Sequence, residues 1–245
     1  MSEEIIYGLN AVKEALRGKR KASELFLAGQ PDDRRMLKVI ELAKERDVPV
    51  RQRQKQDLTR LCGTDYHQGV ALRVEPFPYA ELEEILAAVA DDADAVLLVL
   101  DSIQDPANLG ALVRSAACAG VKGVIITRDR STGVTPAVER VSAGAVETVP
   151  IAQVTNLVHS LEQLKERGFW IYGLTQDAPG SLFAQSLTGK VALVVGNEGE
   201  GVRPLVKKSC DLLLSIPLRG GVSSLNAAAA GAVALFETVR QRGVS

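Results

Sequence analysis

Cysteine is scarce in this chain. There are three in 245 residues, Cys62, Cys118 and Cys210, odd in number and far apart. They provide neither a disulfide framework nor a CxxC zinc spacing, and such usage suits a reducing cytoplasm. Histidine is scarcer, with only His67 and His159. No Ser-His-Asp arrangement and no His-rich metal cluster follow from them, so no metal is expected. His159 falls in a helical stretch and is expected at the surface. The longest apolar run, Leu225 to Phe236, is 12 residues and contains Asn226. That is too short to cross a bilayer, and no membrane partner is expected. The first residues, MSEEII, are acidic and lack a signal-peptide pattern. A strong net charge is also missing: 29 Lys and Arg face 30 Asp and Glu, leaving −1. No global basic field therefore announces a polyanion.

What is present is uneven. Residues 1–73 carry 15 Lys and Arg against 11 Asp and Glu, whereas the remainder carries 14 against 19. The first part therefore leans towards a polyanion, although an ordinary solvated surface gives the same numbers. This part mixes short helix and strand signals. Val12, Ala15 and Leu16 share a helical face, and Ser23–Leu27 reads as a strand. Asp32 and Asp33 head a helix reaching about Arg46, and Val48–Arg51 and Gly69–Val74 read as strands. Pro76, Pro78 and the acidic Glu81–Glu84 stretch follow. The expected division is residues 1–74 as a small N-terminal α/β domain, 75–90 as a linker and 91–245 as a second domain.

The second domain is written differently. Ala95–Leu100 is a continuous apolar run, as expected of a strand buried on both faces. Gly123–Thr127, Trp170–Leu174, Val191–Val195 and Leu212–Ile216 repeat the pattern, with helical segments between. This is βαβ alternation and predicts a parallel sheet covered on both sides. An alanine-rich helix runs from Ser224 to about Arg240.

Open parallel sheets bind ligands at the carboxyl ends of their strands, and three loops there stand out. The first is Asp101–Arg114, DSIQDPANLGALVR, with Asn108 as a candidate helix cap and Arg114 about one and a half turns on. It reads equally as a plain strand-to-helix loop with a surface arginine. The second is Val194–Val202, VVGNEGEGV. Its glycine spacing is not that of a dinucleotide fingerprint, and Glu198 and Glu200 would repel a pyrophosphate. It suits a ligand without phosphates, or is simply a tight turn. The third is Leu214–Asn226, LSIPLRGGVSSLN, where Ser223 or Ser224 is placed to cap the last helix and Asn226 to lie in its first turn. With no acid–base furniture in sight, methyl transfer from a sulfonium fits, because it needs mainly alignment.

Taken together and in this order, the three motifs resemble the SpoU (TrmH) family of the SPOUT methyltransferase superfamily. Upstream, Ile6–Leu16 (IYGLNAVKEAL) and His67–Val70 (HQGV) resemble the substrate-binding domain of its branch that methylates a guanosine ribose in 23S rRNA. The resemblance covers nearly the whole chain. It implies an S-adenosylmethionine-dependent RNA ribose 2′-O-methyltransferase acting on 23S rRNA or a ribosomal precursor. It implies catalytic roles for Asn108, Arg114, Glu198, Ser224 and Asn226, with Arg114 as the catalytic arginine. Gly196, Ile216 and Leu225, joined by Leu218 and Gly201, would hold the cofactor, largely through backbone groups. It also implies a trefoil knot in the second domain and a homodimer in which Arg114 serves the partner's cofactor site. Two departures lie beside the motifs: Ser223 stands where many relatives carry glutamate, and Ala227-Ala228 replaces a β-branched and hydroxyl pair.

On that reading the N-terminal domain grips RNA through Arg34, Arg35, Arg51, Arg53 and Lys55, with His67 and Gln68 nearer the base. A charged edge strand would look the same. The alternatives are a tRNA ribose methyltransferase and a non-catalytic RNA-binding assembly factor.

Overall fold

The computed structural model describes residues 3–28, 34–221 and 224–243. The helix-heading Asp32 and Asp33 and the departure at Ser223 lie outside the described residues. In chain order the elements begin with β1 (Glu4–Tyr7), α1 (Leu9–Arg17), β2 (Ala22–Leu27), α2 (Arg34–Glu45), β3 (Val50–Gln52), α3 (Lys55–Cys62) and β4 (Val70–Val74). Next are α4 (Leu82–Ala88), β5 (Val96–Asp101), α5 (Pro106–Cys118), β6 (Gly123–Thr127), α6 (Pro136–Val141) and a 3-10 turn at Ala145–Glu147. The chain continues through β7 (Ile151–Val154), α7 (Leu157–Glu166), β8 (Trp170–Leu174), β9 (Gly180–Ser181), β10 (Val191–Gly196), α8 (Pro204–Ser209), β11 (Leu212–Ser215) and α9 (Ala227–Gln241).

These form two compact units, residues 1–78 with 134–148, and residues 79–133 with 149–245. The first is a four-stranded sheet in the order β1-β4-β2-β3, antiparallel except for the parallel β2–β3 pair. Val12, Ala15 and Leu16 of α1 and Val39 and Ala43 of α2 pack on its Leu25, Leu27 and Leu72. Residues 134–148 were expected in the second domain but fold with the first. The reason lies at Arg20, whose side chain is 1% exposed. Its guanidinium meets Glu4 at 2.6 Å, Glu139 at 2.6 Å and Glu147 at 3.3 Å, and Nε donates to the Glu75 carbonyl at 2.6 Å. Two of the three carboxylates come from the later segment.

That cluster has a pH signature. Burial lifts the Glu139 carboxyl from its ordinary 4.5 to about 7 and raises Glu147 in the same direction. Between those values the folded unit holds more protons than the unfolded chain, so its stability falls as pH rises through the interval. Unfolding of the first unit is expected at lower urea at about pH 7.5 than at about pH 5. Glu139→Gln should flatten that dependence; an undiminished slope in the variant would place its origin elsewhere.

The second unit is a seven-stranded sheet, β7-β6-β5-β10-β8-β11-β9, parallel throughout. The predicted strands are all present, and β7 and β9 add to them at the two edges. One face carries α4, α7 and α8, with Ile85, Leu161 and Val206 against Leu97, Val99, Ile125 and Val194. α5 and α9 pack against each other, and α9 also packs on β10. The region expected to be a linker, 75–90, contains α4, whose Glu81 and Glu84 form a reciprocal capping box. Among the described residues no helix is long and apolar enough to cross a membrane.

Candidate active site

The strand order places the carboxyl ends of β5, β10, β8 and β11 side by side, and the three motif loops leave from there. The first begins at Asp101, a fully buried carboxylate at the end of β5. It accepts the Arg203 backbone N–H at 2.8 Å and Nε at 2.7 Å, and the Ser102 hydroxyl at 3.2 Å. A buried charge is tolerated only when paired and hydrogen-bonded. Asp101 therefore pins the far end of the 197–203 loop to the start of the 102–105 loop.

Asn108 was expected to cap α5. Asp105 caps it instead, accepting from the Ala107 N–H at 2.9 Å, with Pro106 in the first helical position. The Asn108 side chain is thereby released. Its amide nitrogen donates to Glu198 Oε1, and its Oδ1 accepts from Asn226 Nδ2 at 2.9 Å. The cap of the last helix also differs from expectation. Asn226 occupies it, not Ser224, with Oδ1 accepting from Ala228 and Ala229 at 2.9 and 3.3 Å. One residue from each motif thus joins a single chain of hydrogen bonds, Glu198–Asn108–Asn226, anchored on the start of α9.

Beside this chain lies a cavity of about 350 Å³. Gly196, Glu198, Gly201, Ile216, Leu218, Ser224 and Leu225 line it, all expected from the sequence. Thr175, Gln176 and Asp177, which follow β8, and Lys207 on α8 line it too and were not foreseen. Their only signal is their place at or near the carboxyl end of a parallel sheet. Gly196 cannot carry a side chain: a Cβ there would lie 2.0 Å from the Gly201 carbonyl carbon. The loop folds back on itself at this point, and Asn197 Oδ1 accepts the N–H groups of Gly199 and Glu200 at 2.9 and 2.8 Å. Leucine and isoleucine side chains beside several carboxylates suit an apolar ring joined to a cationic end, and disfavour a phosphate.

Arg114 stands exposed on α5, is not among the residues lining this cavity and has no hydrogen bond or ion pair among the described residues. Among those residues no group of three or more His, Cys, Asp or Glu is placed to hold a metal.

In the first unit, the predicted RNA contacts divide. Arg34 and Arg35 in the first turn of α2, and Lys55 at the start of α3, are exposed. Arg51 is drawn to Glu24 at 3.1 Å, and Arg53 rests over the Phe26 ring at 5.7 Å. His67 is not at the surface but 1% exposed. Its Nδ1 accepts from the Gly69 N–H at 2.9 Å, and Nε2 lies 3.1 Å from the Thr59 hydroxyl, which donates to Asp65. Burial lowers its pKa, so the neutral ring holds the turn. Gln68 Oε1 accepts from Leu9 N–H at 3.0 Å and caps α1, whose N-terminal Gly8 has no side chain to do so. A pair escaped prediction: the guanidinium of half-buried Arg140 lies 5.1 Å from the ring of Tyr66, itself 69% exposed.

Comparison with known proteins agrees with this geometry. The SpoU rRNA Methylase family model matches residues 95–236, and the model for RNA 2′-O ribose methyltransferase substrate binding matches residues 5–80. The chain is 43% identical over 243 residues to the 23S rRNA (guanosine-2′-O-)-methyltransferase RlmB of Pectobacterium atrosepticum, covering 98% of this chain and 99% of that one. It is 39% identical over 240 residues to the protein of that name from Escherichia coli K12, with 98% and 99% covered. The SpoU methyltransferase AviRb from Streptomyces viridochromogenes, solved with AdoMet, superposes with a TM-score of 0.82 at 25% identity, over 99% of this chain and 91% of that one. An AdoMet-bound rRNA methyltransferase from Sinorhizobium meliloti shares the fold, with a TM-score of 0.82 at 23% identity over 99% and 88%. Three motifs meeting at the sheet's carboxyl edge, the second and third lining one cavity and the first tied to them through Asn108, and family models matching both parts of the chain, lead to one conclusion: this protein belongs to the SpoU rRNA methylase family.

Proposed function

We propose that this chain transfers a methyl group from S-adenosylmethionine to the ribose 2′-OH of a specific guanosine in 23S rRNA, in the cytoplasm. The observation that carries the reading is the hydrogen-bonded chain Glu198–Asn108–Asn226, which ties the first motif to the cavity that the second and third motifs line. Near full-length likeness to the RlmB proteins supports the choice of RNA.

When bound, S-adenosylmethionine supplies a methyl on a sulfonium, a leaving group that needs no protonation. The O2′–CH3 bond forms as the C–S bond breaks, S-adenosylhomocysteine remains, and the hydroxyl proton passes to a neighbouring RNA phosphate and on to water. Ile216, Leu218 and Leu225 would seat the adenosine, and Glu198 would face the cationic end. Gly196 and Gly201 would offer backbone groups, and Asn108, Asn226 and Ser224 would fix the loops. Arg114 would position the 2′-OH and an adjacent phosphate, since a guanidinium offers a planar fork of donors and no acceptor. Because Arg114 lies away from its own chain's cavity, it would act on the cofactor site of a second copy in a homodimer. Phe236 on α9, 48% exposed, supports an apolar interface there. The resemblance-derived trefoil knot belongs to the same reading.

The test is transfer of labelled methyl to total rRNA and tRNA from a strain lacking the enzyme. Label on a guanosine ribose of 23S rRNA is the expected result. Label on tRNA would favour the tRNA alternative, and none on either would leave an RNA-binding assembly factor.

The first unit would hold RNA through Arg34, Arg35, Arg53 and Lys55. For four phosphate contacts, log Kd is expected to rise with log salt at a slope of roughly three. A flat dependence, measured by filter binding, would remove these residues from the interface.

A further inference from the structure

The second unit has another cavity, of about 360 Å³, to which the cofactor reading assigns nothing. Ser102 and Gln104 from the loop after β5, Arg130 from the loop after β6, and Arg203 line it. Asn197, Glu198, Gly199 and Glu200 line it as well, and these same residues line the first cavity. The partition between the two spaces is therefore a single turn of chain. Two cavities with one shared wall match the needs of a reaction in which a group passes between two ligands, since the reacting atoms must meet at contact distance.

The second cavity is also built with backbone effort. Ser102 and Arg130 have φ of 62° and 60°, the left-handed region that side-chain-bearing residues rarely adopt. Such strain persists where the surroundings over-determine it, and it collects at functional sites. Here the surroundings are visible. Ser102 is hydrogen-bonded to the buried Asp101, and the Thr132 N–H donates to the Ile103 carbonyl at 2.8 Å, tying the two loops together.

The charges define what fits. Arg203 is already neutralised by Asp101. Arg130 and Gln104 are exposed, with no hydrogen bond or ion pair among the described residues. Glu198 and Glu200 bring carboxylates to the lining of the same cavity. A bare anion would meet those carboxylates, and a purely cationic ligand would meet Arg130. A guanine nucleotide satisfies both ends: phosphate oxygens accept from a guanidinium, and the N1–H and N2 amine donate to a carboxylate. Adenine, with an acceptor at N1, lacks the second match.

We infer that this cavity receives the RNA guanosine nucleotide to be methylated, with Arg130 and Gln104 as its binding residues and the 197–200 turn as the edge it shares with the cofactor cavity. The inference rests on the methyl-transfer reading for its reaction, but not for its ligand. The experiment has two arms on the full chain. In the first, GMP and AMP are titrated by calorimetry with S-adenosylhomocysteine saturating. GMP is expected to bind more tightly than AMP. Arg130→Ala should weaken GMP binding about tenfold or more, Arg130→Lys should recover part of it, and S-adenosylhomocysteine affinity should stay within about twofold. In the second arm, Arg130→Ala and Gln104→Ala should raise the KM for 23S rRNA while kcat is largely kept. Equal binding of GMP and AMP overturns the guanine assignment. GMP binding and KM that ignore both substitutions overturn the site. A wild-type protein that binds GMP through Arg130 yet methylates no RNA overturns the methyl-transfer reading and leaves the nucleotide site standing.

Discussion

Arg114→Ala is expected to lower methyl transfer by about 10³-fold or more, while the Kd for S-adenosylmethionine moves by less than about threefold. The separation follows from where the residue stands. Arg114 is exposed on α5 and lines neither cavity of its own chain, so truncation leaves the cofactor cavity and the hydrogen-bonded chain from Glu198 to Asn226 intact. Exposed substitutions of this kind usually change stability by no more than about 0.5 kcal/mol, so lost turnover could not be ascribed to unfolding. Arg114→Lys keeps the charge but not the planar fork that addresses a hydroxyl and a phosphate together, and should fall between. Calorimetry supplies the affinity and single-turnover transfer of labelled methyl the rate. Retained turnover in Arg114→Ala would end its assignment.

The same variant tests action across a dimer. In the proposed homodimer, mixing Arg114→Ala with a variant defective only in the cofactor cavity would give heterodimers in which one sound cavity faces one sound arginine. Activity should then return in the mixture although each parent is inactive. A mixture that stays inactive would confine Arg114 to its own chain.

Strands were more legible in the sequence than caps. β5, β6 and β10, and β8 after its first residue, are continuous buried runs because both faces of an inner parallel strand are covered, whereas β11 was legible from its leucines although only Leu214 is buried. β7 was missed because Ile151–Val154 is only four residues long, is interrupted by Gln153 and lies at the sheet edge. α3 was missed because in KQDLTRLC only Leu58 is buried, leaving too little apolar stripe to reveal a period. At both misread caps, two capping residues stand within three positions. Pro106 in the first helical position settles α5 for Asp105, and Asn226 sits closer to the start of α9 than Ser224. Those two errors hid the main feature of the site, since the asparagines were free to pair with each other and with Glu198. The allegiance of residues 134–148 to the first unit could not be read at all. It depends on an ion pair between Arg20 and Glu139, 119 positions apart. The 175–177 wall and the second cavity were equally silent, because a strand-end rule names a place and not a side chain.

Gly196 offers the second large effect, through backbone alone. A Cβ added there would lie 2.0 Å from the Gly201 carbonyl carbon, 2.2 Å from its oxygen and 2.2 Å from the Val202 nitrogen. None of these atoms can rotate away as a side chain would. Gly196 itself is held in register with Asp101 at the end of β10, and Asp101 grips the other end of the loop through the Arg203 N–H. The clash must therefore be relieved by moving residues 197–201, which form the wall of both cavities. Gly196→Ala is expected to weaken S-adenosylmethionine binding by about 100-fold or more and to abolish methylation, while the overpacking costs the fold about 1–3 kcal/mol. Two neighbouring glycines calibrate the result. Gly199 has only Asn197 Oδ1 at 3.7 Å, so Gly199→Ala should bind within about twofold of the parent. Gly201 has open space but φ of +67°, and the left-handed strain of about 1 kcal/mol predicts a loss near fivefold in Gly201→Ala. The order of the three affinities is the result that matters. If Gly196→Ala bound the cofactor as well as Gly199→Ala does, the close approach of Gly196 to Gly201 would not be what shapes the cavity, and the loop would have to be regarded as adaptable.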